Sequence, residues 1–149
     1  MSIQFEIKRF NELSVDELYQ LLRLRSEVFV VEQNCVYQDI DGKDSKALHV
    51  LGKYEGSVVA YTRLFGPGDY FAESSIGRVV ISPKYRDRKL GHSLMQESVS
   101  AVAEYLGQGP ITISAQQYLT KFYESQGFVQ QGEPYLEDGI PHIRMQREG

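Results

Sequence analysis

The spacing of apolar residues along the chain predicts a mixed α/β (α+β) domain. Apolar and polar residues alternate from Ile3 to Ile7, which indicates a half-buried first strand. Ser14 and Glu17 form a capping-box pattern, and the helix that follows should run to about Phe29. Further strands are predicted at Leu48–Tyr54, Ser57–Phe65, Ser74–Ser82, Ile111–Ala115, Phe128–Gln131 and Ile140–Gln146. Together with two later helices, this order predicts a mixed central sheet of about seven strands flanked by helices.

A basic turn joins one of these strands to the longest predicted helix. Pro83 ends the strand, the turn spans Tyr85–Gly91, and apolar residues at helical spacing continue to Leu106. Free N–H groups and the positive end of the helix dipole suit an anion at such a turn. The turn has neither the Gly-Lys-Ser/Thr ending of a Walker loop nor a G-x-G-x-x-G pattern. Spacing alone leaves two interpretations open, a pyrophosphate cradle and a solvated basic helix start.

Composition narrows the classes of function. The 149 residues fit a single domain, 1–149, with a net charge of −4 and a pI of about 5.4. This balance argues against general binding of nucleic acid or of an anionic membrane surface. The single cysteine, Cys35, allows no intrachain disulfide. With neither a signal-peptide pattern nor an apolar run of membrane-spanning length, the chain is expected in the cytoplasm.

The irregular segment from Val30 to Lys46 is the candidate substrate wall. It is acidic and rich in hydrogen-bonding groups, which suits a cationic amine, although a plain solvated loop explains the pattern as well. Arg78 lies within an apolar strand and needs an anionic partner if it is buried. It positions the acceptor, pairs with Glu32 or Asp41, or faces solvent at a strand edge. The residues predicted to contact the substrate are Arg25, Glu32, Gln33, Asp41, Arg78 and His142.

The candidates for a general base are Glu32, His49, Glu73 and His142, and the sequence does not choose among them. Histidine titrates nearest to neutral pH, but a lone histidine often has a structural role. Nothing near Cys35 in the sequence supplies a base, so it is not expected to act as a nucleophile. No His/Cys/Asp cluster has the spacing of metal ligands, and no metal is predicted.

Two motifs resemble those of the GNAT superfamily of N-acetyltransferases. The segment PKYRDRKLGHSLM resembles the superfamily's R/Q-x-x-G-x-G/A motif, with Arg86 in the first position, Gly91 in the last and Lys89 where a glycine is usual. The segment LTKFYESQGF at 119–128 resembles its F-Y-x-x-x-G-F signature. Segments such as LRSEVFVVEQNCVYQDIDGKD and YLEDGIPHIRM extend a narrower resemblance, to the ElaA-like branch, over almost the whole chain.

This resemblance implies the GNAT acyl-CoA N-acyltransferase fold, with acetyl-CoA as the cofactor. The pantetheine arm would pair with the backbone of Val79, Val80 and Ile81. The pyrophosphate would lie on the amides of the turn and the helix start, at Arg86, Asp87, Arg88, Lys89, Leu90, Gly91 and His92.

The resemblance also implies direct attack of an amine on the thioester. A backbone N–H near Val80 would stabilise the oxyanion. Tyr123 matches the tyrosine of the F-Y pair and is the expected general acid, because a phenol stays protonated at neutral pH. From spacing alone, Phe122 and Tyr123 would be ordinary core aromatics.

The predicted function is therefore an acetyl-CoA-dependent N-acetyltransferase acting on a small-molecule or peptide amine. One alternative is an acyltransferase similar to the acyl-homoserine-lactone synthases, which share the fold and have a start similar to RSEVF at 25–29. Another is a non-catalytic acyl-CoA-binding or regulatory module. Dimers are common on this fold, so a homodimer is also open.

Overall fold

Seven strands form one sheet in the computed structural model, which describes residues 2–149 apart from the side chains of Asp87 and Arg88. The strands are β1 (Gln4–Arg9), β2 (Leu48–Tyr54), β3 (Ser57–Phe65), β4 (Ser74–Ile81), β5 (Ile111–Gln116), β6 (Val129–Glu137) and β7 (Ile140–Arg147). Their order across the sheet is β1-β2-β3-β4-β5-β7-β6, and only β4 and β5 pair in parallel. The predicted mixed sheet is confirmed.

Helices cover both faces of this sheet. They are α1 (Val15–Arg25), α2 (Leu90–Ala101) and α3 (Thr120–Ser125). Residues of α1 pack with Leu51 and Tyr61, whereas residues of α2 pack with their neighbours Val50 and Ala60. Since successive residues of a strand point to opposite faces, α1 lies on one face and α2 on the other. No helix in the described part of the chain has the length and apolar character needed to cross a membrane.

Helix α1 begins as the sequence predicts, and the helical segment that it starts ends later than predicted. Ser14 Oγ accepts from the Glu17 amide at 3.0 Å, and the Glu17 carboxylate accepts from the Ser14 amide at 2.8 Å, which confirms the capping box. The helix does not stop at Phe29, because a π-helical turn continues it through Ser26–Glu32. A second π-helical turn, Val102–Leu106, extends α2.

Strands β4 and β5 separate after a very short parallel ladder, which creates the main opening in the fold. Only Ser74 with Ile111 and Ser75 with Thr112 pair among the described residues, although β4 continues to Ile81. On its other side β4 pairs with β3, with a bulge near Arg78, whose φ is 50°. Beyond Ser75, β4 therefore has a backbone edge that faces a gap in the sheet.

Strand β6 is longer than predicted. The expected strand ends at Gln131, whereas the observed strand reaches Glu137 with a register shift between Gln131 and Tyr135. Nearly all of its residues are exposed because it is the outermost strand, so it has no buried face to impose apolar alternation. Pro134 fits there, since an edge strand has N–H groups that need no ladder partner.

Candidate active site

A cavity of about 780 Å³ occupies the gap between β4 and β5. One wall is the π-helical turn after α1 and the loop that follows it. The opposite wall is α3, and the β6–β7 hairpin closes one end. Predicted site residues that line the cavity are Val79, Val80, Ile81, Arg86, Lys89, Gly91, His92, Tyr123, Glu32, Gln33, Arg78 and His142. The fold thus brings both predicted motifs and part of the predicted substrate wall to one place.

The open edge of β4 runs along this cavity. Val80 is buried against the α1 side, whereas Val79 and Ile81 are half-buried and pack toward the other face. The side chains therefore anchor the strand from both faces. The backbone edge toward β5 is left without a strand partner beyond Ser75 in the described ladder.

The basic turn folds as a 3₁₀ turn, Pro83–Arg88, that leads directly into α2. Lys89 stands between them with a φ of 53°, the left-handed conformation that glycine adopts most readily. This backbone geometry explains why the resembled motif usually has a glycine at this position. Lys89 adopts the left-handed conformation at a cost of about 1 kcal/mol. Its exposed side chain lines the cavity and adds a positive charge beside the N-terminus of α2.

Gly91 allows α2 to approach α3 closely. A Cβ added at Gly91 would lie 3.3 Å from two ring atoms of Phe122 and 3.6 Å from Ile81 Cδ1. The neighbouring Leu90 side chain is buried in the core, so only its backbone faces the predicted cradle. His92 is exposed in the first turn of α2, where Nδ1 lies 2.6 Å from Gln126 Nε2 and the ring meets Phe122 edge-on.

Arg86 does not point freely toward the cradle. Its guanidinium donates two hydrogen bonds of 2.6 and 2.8 Å to the Glu32 carboxylate, and Nε donates to the Ile81 carbonyl at 3.2 Å. The hydrogen bond to Arg86 lowers the pKa of Glu32. The positive charge expected to bind the pyrophosphate is thus shared with a carboxylate from the opposite wall. The side chains of Asp87 and Arg88, also predicted in the cradle, lie outside the described residues.

Tyr123 lies on α3 with its side chain in the cavity wall. Its ring packs edge-on against Phe122 and Phe128. Burial raises the pKa of Tyr123, which keeps the phenol protonated over the whole physiological range. Within residues 2–149 as described, no hydrogen bond to its hydroxyl is found, so the hydroxyl is available to a ligand in the cavity.

Arg25 and Asp41 were expected to contact the substrate, and the structure places them elsewhere. Arg25 is fully buried and bonds Asp39 and Asp44, and Asp41 forms a two-pronged ion pair with Arg63 at 2.9 Å. Despite burial, which acts in the opposite sense, the Arg63 hydrogen bonds lower the pKa of Asp41 to about 2. Both belong to an arginine–aspartate cluster, which consists of Arg25, Asp39, Asp41, Asp44, Arg63 and Arg78.

This arginine–aspartate cluster holds the irregular loop against α1 and the sheet. The backbone carbonyl of Asp39 accepts from both Arg25 and Arg78, at 3.1 and 3.0 Å. Arg78 Nε lies 2.7 Å from an Asp39 carboxylate oxygen, so the strand arginine has the anionic partner that its position requires. Arg78 lines the cavity, and its guanidinium lies 5.7 Å from the ring of Tyr37. The cluster therefore shapes the substrate wall without itself facing the cavity, apart from Arg78.

The four candidate bases separate clearly in the structure. His49 is fully buried between Tyr61 and the Asp44 carbonyl, and burial lowers its pKa. Glu73 accepts from Thr112 Oγ1 at 2.6 Å and does not line the cavity. Glu32 lines the cavity but is held by Arg86. Of these four residues, only His142 both lines the cavity and makes no ion pair with a cationic side chain among the described residues.

Several residues of the cavity wall were not predicted. Gln116 exchanges two hydrogen bonds of 3.1 Å with Gln33 and so links β5 to the loop after α1. Ser114 and Glu137 hydrogen-bond to each other at 3.0 Å beside Tyr135. No local pattern marks these polar residues, because they meet only when β5, β6 and the loop pack together. One sequence feature could have indicated Glu137: it stands with Asp138 at a predicted hairpin turn, close to the candidate base His142.

Comparisons with known proteins agree with this geometry. A family model described as an acetyltransferase (GNAT) domain matches residues 11–148. Protein ElaA of Escherichia coli (strain K12) is 44% identical over 148 residues, which cover 98% of this chain and 97% of that protein. The crystal structure of E. coli ElaA has a TM-score of 0.92 at 43% identity and covers 99% of this chain and 100% of that chain.

Further solved structures share the architecture. An acyl-CoA N-acyltransferase from Pseudomonas aeruginosa has a TM-score of 0.93 at 42% identity and covers 98% of this chain and 99% of that chain. A GNAT family acetyltransferase from Elizabethkingia anophelis, solved with acetyl-CoA bound, has a TM-score of 0.65 at 15% identity over 98% and 97% of the two chains, and shows the fold alone. The predicted acyl-CoA N-acyltransferase fold is thereby confirmed.

Proposed function

The chain belongs to the GNAT family of acetyltransferases, and on that premise we propose that it transfers the acetyl group of acetyl-CoA to an amine acceptor. The acceptor is a small-molecule or peptide amine, and residues 1–149 act as one catalytic domain. The observation that carries the proposal is the open backbone edge of β4, which faces Tyr123 across a cavity of about 780 Å³.

The residues present fit acetyl-CoA as the donor. An extended chain with amide groups, such as pantetheine, can pair with the free edge at Val79–Ile81 as an added strand does. The N-terminus of α2 offers free N–H groups to the pyrophosphate. Lys89 supplies charge at the same point. The acetyl-CoA bound to the E. anophelis protein agrees with this choice of donor.

Acetyl-CoA supplies an activated thioester, so the acceptor nitrogen forms a C–N bond as the C–S bond breaks. A backbone N–H of Val79–Ile81 donates to the carbonyl oxygen while it carries negative charge. Tyr123 donates its phenolic proton to the departing thiolate. Burial raises the pKa of Tyr123, so the phenol is protonated when the thiolate leaves. The rings of Phe122 and Phe128 pack edge-on against the Tyr123 ring and hold it in the cavity wall.

Titration with acetyl-CoA followed by an assay of thiol release over a panel of amines tests the proposal. Binding with turnover on at least one amine is the expected result. Binding without turnover on a broad panel would favour a non-catalytic acyl-CoA-binding module, and no binding at all would refute the site. The proposed location is the cytoplasm, because a chain with a single cysteine suits a reducing compartment.

Substitution of Tyr123 tests its role directly. Tyr123→Phe should lower kcat by about a hundredfold or more, since general acid catalysis contributes on that order. The dissociation constant of acetyl-CoA should change less than about twofold, because the ring and its packing remain. Tyr19→Phe, on the exposed side of α1, is the matched control and should behave as the parent protein. Equal kcat in Tyr123→Phe and the parent would remove Tyr123 as the acid.

A further inference from the structure

His142 is held in one orientation at the end of the cavity formed by the β6–β7 hairpin. It is 6% exposed and lines the cavity with Tyr123 and Glu137. Its Nδ1 lies 2.7 Å from the carbonyl oxygen of Ile140. A carbonyl oxygen can only accept a hydrogen bond, so Nδ1 carries the proton of the neutral ring. The other nitrogen, Nε2, is then left with a free lone pair.

The partner of that lone pair is a carboxylate. Nε2 lies 3.5 Å from Glu137 Oε2, and Glu137 is oriented by a 3.0 Å hydrogen bond from Ser114 Oγ to its other oxygen. A lone pair and a carboxylate have no attraction for each other in the neutral state. Once Nε2 takes up a proton, the same two atoms become an ion pair. Glu137 therefore provides an ion-pair partner for a protonated Nε2.

Titratable groups from five elements contact His142 or line the cavity with it. Strand β5 contributes only the uncharged Gln116 as its register partner. Tyr135 and Glu137 of β6 lie against the ring. Asp138 of the turn, Cys35 and Tyr37 of the loop, Arg78 of β4 and Tyr123 of α3 line the same cavity. Among these described groups, Glu137 is the one at ion-pair distance from the ring.

We infer that His142 is the general base that removes a proton from the acceptor ammonium, and that Glu137 is its positioning residue. The inference rests on the proposed acetyl transfer and names the base that transfer requires. An N–H bond of the ammonium breaks, the proton binds Nε2, and the freed electron pair forms the C–N bond to the thioester carbon. After the C–N bond forms, the nitrogen loses a second proton. One proton returns to the thiolate through Tyr123, and the other leaves to solvent through His142.

The pH dependence of kcat/KM tests the base. His142→Gln should lower kcat/KM at neutral pH by about 10²- to 10⁴-fold, with a smaller deficit at high pH where the acceptor is already deprotonated. Glu137→Gln should move the acidic limb of the profile to lower pH by about half a unit, because the lost carboxylate no longer stabilises the imidazolium. Glu133→Gln, exposed on the same strand and outside the cavity lining, is the control and should leave the limb in place.

A second readout does not depend on turnover. The ¹⁵N spectrum of the neutral His142 ring should show the Nδ1–H tautomer, because Nδ1 faces the Ile140 carbonyl. A ring protonated on Nε2 in its neutral form, or a His142→Gln variant with unchanged rate and unchanged acidic limb, would overturn the inference while leaving acetyl transfer intact. A parent protein that binds acetyl-CoA but acetylates no amine would instead refute the proposed function, and the base assignment with it.

Discussion

Replacing Arg25 separates a structural role from a role in substrate binding. The side chain is fully buried, and its guanidinium bonds two carboxylates and a carbonyl at 2.7–3.1 Å. Arg25→Met keeps a similar length but leaves Asp39 and Asp44 with one cation fewer. Breaking a buried ion pair costs about 3–5 kcal/mol. We expect the lower end, about 3 kcal/mol, because Arg78 and Arg63 remain beside these carboxylates.

Thermal unfolding followed by circular dichroism measures this loss. For a chain of this length about 3 kcal/mol corresponds to a fall in Tm of about 10 °C. Arg23→Met is the matched control, since Arg23 lies on the exposed side of the same helix. Its cost should stay within about 0.5 kcal/mol. The dissociation constant of acetyl-CoA, measured well below either Tm, should be the same in both variants.

Two results would refute this reasoning. If Arg25→Met and Arg23→Met melt within about 2 °C of each other, the cluster does not stabilise the fold. If Arg25→Met keeps its Tm and instead raises the KM for the acceptor, Arg25 contacts the substrate as the sequence suggested. The first concerns the energy of the ion pairs, and the second concerns the position of the side chain.

Two further predictions concern charge in and below the cavity. Glu32→Gln should release Arg86 from its ion pair and lower the dissociation constant of acetyl-CoA by up to about fivefold at low salt. This factor corresponds to the free energy of a partly exposed ion pair. Weaker binding by calorimetry would contradict the prediction. The free energy of unfolding should fall as pH drops below about 6.5, because burial depresses the pKa of His49 and the unfolded chain then binds the proton more readily. Urea titrations at several pH values should give up to about 1.4 kcal/mol per pH unit, and a flat profile between pH 7.5 and 5.5 would exclude it.

Periodicity predicts most of the fold because burial imposes it. The hairpin of β2 and β3 has the residue bounds that the apolar pattern indicates, Leu48–Tyr54 and Ser57–Phe65. Strand β6 escapes the same reasoning, since an exposed edge strand has no buried face to pattern. The π-helical turn Ser26–Glu32 likewise carries the first helix past Phe29, where the apolar spacing predicts its end.

The site is predictable where chemistry is local in the chain and less so where it depends on packing. The turn before α2 and Tyr123 are recognisable because their motifs are contiguous, and both line the cavity. The sequence predicts that Arg25 contacts the substrate, because a charged residue within a helix is expected to be exposed. In the structure the loop that carries Asp39 folds over Arg25 and buries it. Lys89 stands where a glycine is usual, and the reason is the left-handed backbone at this position. Residue type alone does not reveal that φ angle.

The free inner edge of β4 has a consequence for solubility. An unpaired strand edge ordinarily invites pairing with another chain and is a source of aggregation. Here the edge lies inside a cavity between α3 and the π-helical turn, and the Gln33–Gln116 pair links the loop after α1 to β5. One of the two outer edge strands, β6, is interrupted by Pro134 instead. The fold can therefore keep unsatisfied backbone groups ready for an extended ligand without offering them to a second copy of the sheet.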